Sequence, residues 1–187
     1  METERLKAIV DFLQAAEALK DTLRSGHTGA GRRESTAEHT WRLCLLALLL
    51  EGETEVDALR LLQLCIVHDL GEAISGDIPA TEQQAEDGRK ERERADMARL
   101  CAPLPPDLRD RMIGLWKEYE AGETAEAVMA KGLDKIETML QHLAGRNPED
   151  FDYGFNLGYG VGRTQRHPLL RTLRAEVDAR TRRRMTE

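Results

Sequence analysis

The sequence predicts an all-α fold, and three observations carry that expectation. No segment alternates apolar and polar residues with period 2, so no sheet is expected. Aromatics make up only 4% of the chain. Leu, Ala, Glu and Arg dominate instead, and these residues lose little rotamer freedom in a helix. Apolar residues recur in steps of 3 and 4, the spacing that lines one helix face.

The elements follow in order. Leu6, Ile9, Val10, Leu13, Ala16 and Leu19 predict an amphipathic helix over residues 4–23. Residues 25–33 form a Gly-rich loop carrying Arg32 and Arg33. Ser35 and Glu38 then read as a capping box, Ser35 as N-cap and Glu38 three residues later. The run behind it, 41–50, is apolar nearly all round, so this helix is expected to be central. A third helix begins near residues 54–57 and runs through Leu59, Leu62 and Ile66 to His68 and Asp69. The polar stretch 76–88 reads as a loop at the site, followed by a charged helix over 89–100. Pro103, Pro105 and Pro106 break the chain before a helix over 107–119, and Gly122 ends that helix. The stripe Met129, Leu133, Ile136, Leu140, Leu143 predicts a helix over 124–143. Residues 145–163 read as a loop, and a final helix covers 168–183.

The chain has 187 residues, which suits one domain spanning 1–187, with a core over about 12–143 and the segment 145–187 packed on it. A formal net charge of -7 disfavours nucleic-acid partners, whose phosphates need a basic surface. The basic run 180–184 reads as a solvated helix end. The longest apolar run, 43–50, is too short to cross a bilayer, so no membrane partner is expected. Residues 1–10 lack an apolar signal core, and Cys44, Cys65 and Cys101 form no C-x-x-C pair. A reducing, cytoplasmic setting fits.

Four residues stand out as chemistry: His39, His68, Asp69 and Asp134. Each lies on a predicted helix beside its apolar face. Adjacent helical residues point about 100° apart, so His68 and Asp69 can both reach one ion held between helices. Buried carboxylates are costly unless paired or bound to metal. Two imidazoles and two carboxylates make a mixed N/O donor set, suited to borderline or hard divalent ions. By spacing alone, each residue also reads as a structural hydrogen-bonder, a cap or an ion-pair partner.

The ordered set Glu38-His39, His68-Asp69 and Asp134 resembles the H…HD…D signature of HD-domain phosphohydrolases. The resemblance is closest to the 5'-deoxynucleotidase subgroup. There the string H-D-x-x-E-x-x-x-G-D appears, matched here by His68, Asp69, Glu72, Gly76 and Asp77. Residues 34–39 resemble that subgroup's E-[NS]-x-x-[ED]-H, and 115–120 resemble L-W-x-E-Y-E. The match runs from about Phe12 to Leu143. It implies a helical HD-domain bundle with one divalent ion (Mn, Co, Fe, Mg or Zn) held between central helices by His39, His68, Asp69 and Asp134. It also implies catalytic roles for Glu72 and Asp77. If the third helix continues, Glu72 shares the face of His68 and Asp69. Standing alone, Glu72 reads equally as a helix-end carboxylate and Asp77 as a turn residue.

Arg24 matches the family's phosphate-binding Arg, and Arg33 is expected to share that task. Ser25 departs from the pattern, standing where the bacterial enzyme has a nucleotide-packing Trp. His27, His142 and His167 fall at no motif position, and His142 is expected in solvent. Trp41 and Trp116 read as core. The aromatic and Gly-rich string 151–160 reads as a loop pinned to the core, with a base-lining role as the alternative.

The expected activity is metal-assisted release of phosphate from (deoxy)nucleoside 5'-monophosphates by a cytoplasmic homodimer. Glu72 would orient the attacking water and Asp77 would handle a proton. Hydrolysis of a dNTP, a cyclic nucleotide or another phosphate ester is the alternative, as is a non-catalytic metal- or nucleotide-binding module.

Overall fold

The computed structural model describes residues 2–80 and 88–186. Part of the predicted 76–88 loop, residues 81–87, lies outside the described residues.

Helix α1 (Thr3–Ala16) runs into a 3-10 turn at Glu17–Lys20. A short hairpin follows, β1 (Leu23–His27) antiparallel to β2 (Arg33–Ser35). It corrects the expectation of no sheet and of a plain loop at 25–33. Its turn closes through Thr28 N–H donating to Arg32 O at 2.8 Å, and Gly31 takes a φ of 88°. That left-handed region strains any residue with a Cβ.

Helix α2 (Thr36–Leu49) starts at the predicted capping box: Glu38 N–H donates to Ser35 Oγ, and the Glu38 carboxylate accepts from Ser35 N–H. Helix α3 (Ala58–Val67) begins later than expected, with Asp57 as its N-cap. It also ends earlier, at His68, and Glu72 opens a separate turn, α4 (Glu72–Ser75). Between them the chain passes close to the next helix: a Cβ on Gly71 would sit 3.1 Å from Glu93 O, so a glycine suits this position.

Helices α5 (Arg89–Cys101), α6 (Pro106–Ala121) and α7 (Ala125–Ala144) match the predicted order. Gly122, at φ 61°, ends α6. The predicted 145–163 loop contains two short turns, α8 (Phe155–Gly158) and α9 (Val161–Thr164), before α10 (Pro168–Arg184).

Helix α7 is the axis of the bundle, touching α2, α3, α6, α9, α10 and β1. Its stripe Met129, Leu133, Ile136 and Met139 is fully buried beside Leu43 of α2 and Leu64 of α3. Burying each such side chain contributes roughly 1.5–3 kcal/mol. Gly132 lets α10 close in, since a Cβ there would lie 2.2 Å from Leu170 Cδ1. Trp116 is buried as expected, but Trp41 is 66% exposed. An all-round apolar pattern does not reveal which side of α2 faces outward. Among the described residues, no helix is long and apolar enough to cross a membrane.

Candidate metal centre

His39 sits in the first turns of α2, and its side chain is fully buried. Its Nδ1 is hydrogen-bonded to the Glu137 carboxylate of α7. Glu137 is held in turn by Arg42, whose Nε donates to Oε1 at 2.6 Å. His68 closes α3, and its Nδ1 donates to Cys65 O at 2.7 Å. In both rings the partner at Nδ1 assigns the proton there, which leaves the Nε2 lone pair free to bind. Neither buried Nε2 has a hydrogen-bond partner of acceptable geometry. Orphaned buried nitrogens of this kind are rare and costly, and a cation satisfies both at once.

Two carboxylates meet them. Asp134 Oδ1 lies 3.4 Å from His39 Nε2. Asp69 Oδ2 lies 2.9 Å from His68 Nε2 and 3.9 Å from His39 Nε2. Donor atoms of His39, His68 and Asp134 all fall within 4.8 Å of one another. The donor set fits a divalent ion.

The electrostatics agree. Burial pushes Asp69 up, but His68, Arg24 and His39 outweigh it and hold the carboxyl low. Burial also opposes ionised Asp134, yet Lys135 and the two imidazoles keep it well below the usual range. Burial and Arg24 press His39 down, while Glu137 and Asp134 lift it further, to about 9. Ionised carboxylates around a proton-seeking imidazole make a pocket that demands positive charge.

The centre opens into a cavity of about 630 Å³. Arg24, Glu72 and Asp77 line it beside the cluster. The Arg24 guanidinium reaches Asp69 Oδ2 at 3.4 Å and donates to Thr138 Oγ1 at 3.1 Å. Glu72 accepts from Thr36 Oγ1 at 3.1 Å. Burial first, then Asp69 and Asp77, lifts the Glu72 carboxyl to about 9. Burial also raises Asp77, with Arg24 opposing. Glu72 thus reaches the cavity from its own turn rather than along a continued α3.

Arg33 does not join them, which corrects its expected phosphate role. It is exposed, and its guanidinium donates to Arg24 O at 2.8 Å and Leu23 O at 3.1 Å. It braces the strand that carries Arg24.

Residues 16–173 match the HD domain family. The chain belongs to the HD-domain family. The human 5'-deoxynucleotidase HDDC2 is 31% identical over 156 residues, covering 78% of this chain and 76% of that protein. The Schizosaccharomyces pombe 5'-deoxynucleotidase hdd1 is 29% identical, covering 91% and 89%. A crystal structure of a "Predicted metal-dependent phosphohydrolase" from Magnetospirillum magnetotacticum superposes with a TM-score of 0.75. It is 31% identical, over 95% of this chain and 97% of that one.

Several residues of this HD-domain chain escaped sequence reasoning. Lys135 Nζ lies 3.0 Å from Asp134 Oδ2, and Tyr119 OH donates to the same oxygen at 2.9 Å. Glu137, Lys135 and Lys131 are charged residues on the same helix as the apolar stripe. Charged residues flank the apolar stripe of most amphipathic helices, so the sequence did not single these out. His142, expected in solvent, is buried, with Nδ1 bonded to Asn156 Oδ1 at 2.7 Å and its ring edge-on to Phe151. Part of the 151–160 string also lines the cavity.

Proposed function

We propose that this HD-domain chain is a divalent-metal-dependent phosphohydrolase releasing phosphate from (deoxy)nucleoside 5'-monophosphates. One observation carries the reading. Two buried, unpartnered imidazole nitrogens and two ionised carboxylates converge at the end of a cavity that also holds an arginine and two further carboxyl groups. The deoxynucleotidase names of its relatives support the substrate class.

His39, His68, Asp69 and Asp134 would hold the ion. Mixed N/O donors suit Mn, Co, Fe, Mg or Zn. When bound, the ion supplies Lewis acidity, polarising phosphate and easing deprotonation of water. Arg24, whose guanidinium lies 3.4 Å from Asp69 Oδ2, clamps phosphate oxygens and offsets charge in the transition state. Glu72, fixed by Thr36, orients the attacking water. Asp77 handles a proton, either from that water or to the leaving 5'-oxygen. Burial raises both carboxyl groups and so favours their protonated forms.

The same reading takes residues 1–187 as one domain, supported by the close fit of α10 on α7 at Gly132. A homodimer is supported by the exposed Trp41, Leu45, Leu48 and Leu49 on α2. Three unpaired cysteines support a reducing, cytoplasmic setting.

The test is phosphate release from a panel of dNMPs and NMPs with Mn, Co or Mg added. Turnover of 5'-monophosphates is expected. No turnover by well-metallated protein overturns the reading, and pyrophosphate released from dNTPs would replace it with triphosphohydrolase action.

A further inference from the structure

Two unlike groups of residues line the cavity. One is His68, Asp69 and Asp134 with Arg24, Glu72 and Asp77. The other is Phe151, Phe155 and Tyr159, from the segment between α7 and α10. Buried polar groups hold that segment down. Arg174 donates to the carbonyls of Asn156 at 2.9 Å, Leu157 at 2.7 Å and Tyr159 at 2.7 Å. The Asn156 side chain, fully buried, bonds His142. Tyr159 also packs against the core.

Phe151 is engaged edge-on by His142 and Tyr153. Trp116 and Tyr119 are buried in the core. Phe155 and Tyr159 are half-buried and line the cavity. Their centroids lie 5.1 Å apart with planes inclined by only 31°.

Their segment lies against α7. Gly160 lies against Lys135, where a Cβ would come within 2.7 Å of Lys135 Cβ. Lys135 Nζ is 5.3 Å from the Tyr159 ring centroid and 3.0 Å from Asp134 Oδ2. The Lys135 ammonium thus lies beside both the Asp134 carboxylate and the Tyr159 ring. A volume of about 630 Å³ suits a small-molecule site.

We infer that Phe155 and Tyr159 are the stacking wall for a nucleobase, so that the cavity selects nucleotides over phosphate esters of small alcohols. This rests on the phosphohydrolase reading above and names what recognises the part of the substrate away from phosphorus. Planar bases stack on aromatic faces with little sequence preference, so both purines and pyrimidines are accepted.

The test separates base binding from phosphate chemistry. Calorimetry on the metal-loaded protein measures 2'-deoxyadenosine, which has no phosphate, and inorganic phosphate. Wild type is compared with Phe155→Leu and Tyr159→Leu, which keep apolar bulk, and with Tyr159→Phe and Phe155→Trp, which keep a ring. Loss of one ring is expected to weaken the nucleoside about ten-fold while phosphate affinity stays within about two-fold. The ring-keeping variants hold wild-type affinity. In parallel, KM for dAMP rises in the Leu variants and KM for 2-deoxyribose 5-phosphate does not.

Unchanged nucleoside affinity in both Leu variants overturns the inference. So does an equal loss for nucleoside and phosphate, or a wild type that binds no nucleoside. The two readings fail separately. Nucleoside binding through the wall without phosphate release contradicts only the phosphohydrolase reading. Hydrolysis with equal KM for dAMP and 2-deoxyribose 5-phosphate contradicts only the wall.

Discussion

Replacing Glu137 by Gln tests how His39 is prepared for its ion. The Glu137 carboxylate is 1% exposed and accepts from two donors, His39 Nδ1 and Arg42 Nε. An amide of the same shape offers one acceptor oxygen and an NH2 group. One of the two donors must then face another donor. If His39 loses its partner, its ring is free to turn and its Nε2 is less basic. Loss of such a partner typically costs 10–100-fold in metal affinity, or about 1.4–2.7 kcal/mol. A buried donor left unsatisfied adds a stability cost of about 1–3 kcal/mol. Arg42 is half-exposed and can turn to water, so the smaller figure is expected for the fold. The assay is calorimetric titration of chelator-stripped protein with Mn, beside the Tm of each apo protein. Glu137→Gln is expected to bind the ion at least about ten-fold more weakly than wild type. An unchanged Kd would refute the reasoning, because the Glu137–His39 contact would then orient nothing that the ion feels.

Three further outcomes follow from the structure. Burial holds the His142 imidazole below its ordinary value, although Asn156 opposes the shift. In the window between that depressed value and about 6.5, the unfolded chain binds more protons. Stability contributed by His142 is thus full above about pH 6.5 and declines as pH falls. Urea denaturation from about pH 5 to 7.5 should show a shallower pH slope for His142→Gln, and identical slopes contradict this. Leu133→Ala, at a fully buried position on α7, should destabilise by about 2–5 kcal/mol in chemical denaturation, and a loss below about 1 kcal/mol would contradict its place in the core. Trp41→Glu with Leu49→Glu should shift sedimentation from dimer to monomer while helical content by circular dichroism is kept, whereas a wild type that sediments as a monomer removes the dimer.

Much of the bundle was legible because its helices carry local signals. Ser35 and Glu38 announced α2, Gly122 ended α6, and the 4-3-4-3 stripe announced α7, although the sequence pointed to α2 rather than α7 as the central helix. The hairpin was not legible. Leu23 and Arg33 are exposed, and the pairing is short and irregular, so period 2 never develops. The break before Glu72 carries no Pro or cap signal, and the close approach of α5 at Gly71 is a contact that the sequence does not spell out. His142 went inside because Asn156, on a later turn, supplies its partner. Sequence motifs brought His39, His68, Asp69 and Asp134 to notice, and folding brings them together. Lys135 stands next to Asp134 on α7, whereas Glu137 and Tyr119 reach His39 and Asp134 across helices, and no local spacing encodes those contacts.

The most direct measurement is an anomalous difference map from crystals grown with Mn or Co, recorded at that metal's absorption edge. A single peak is expected at coordination distance, about 2.0–2.3 Å, from His39 Nε2, His68 Nε2 and carboxylate oxygens of Asp69 and Asp134. A peak elsewhere, or none at this cluster in protein that binds one equivalent of metal, would contradict the account.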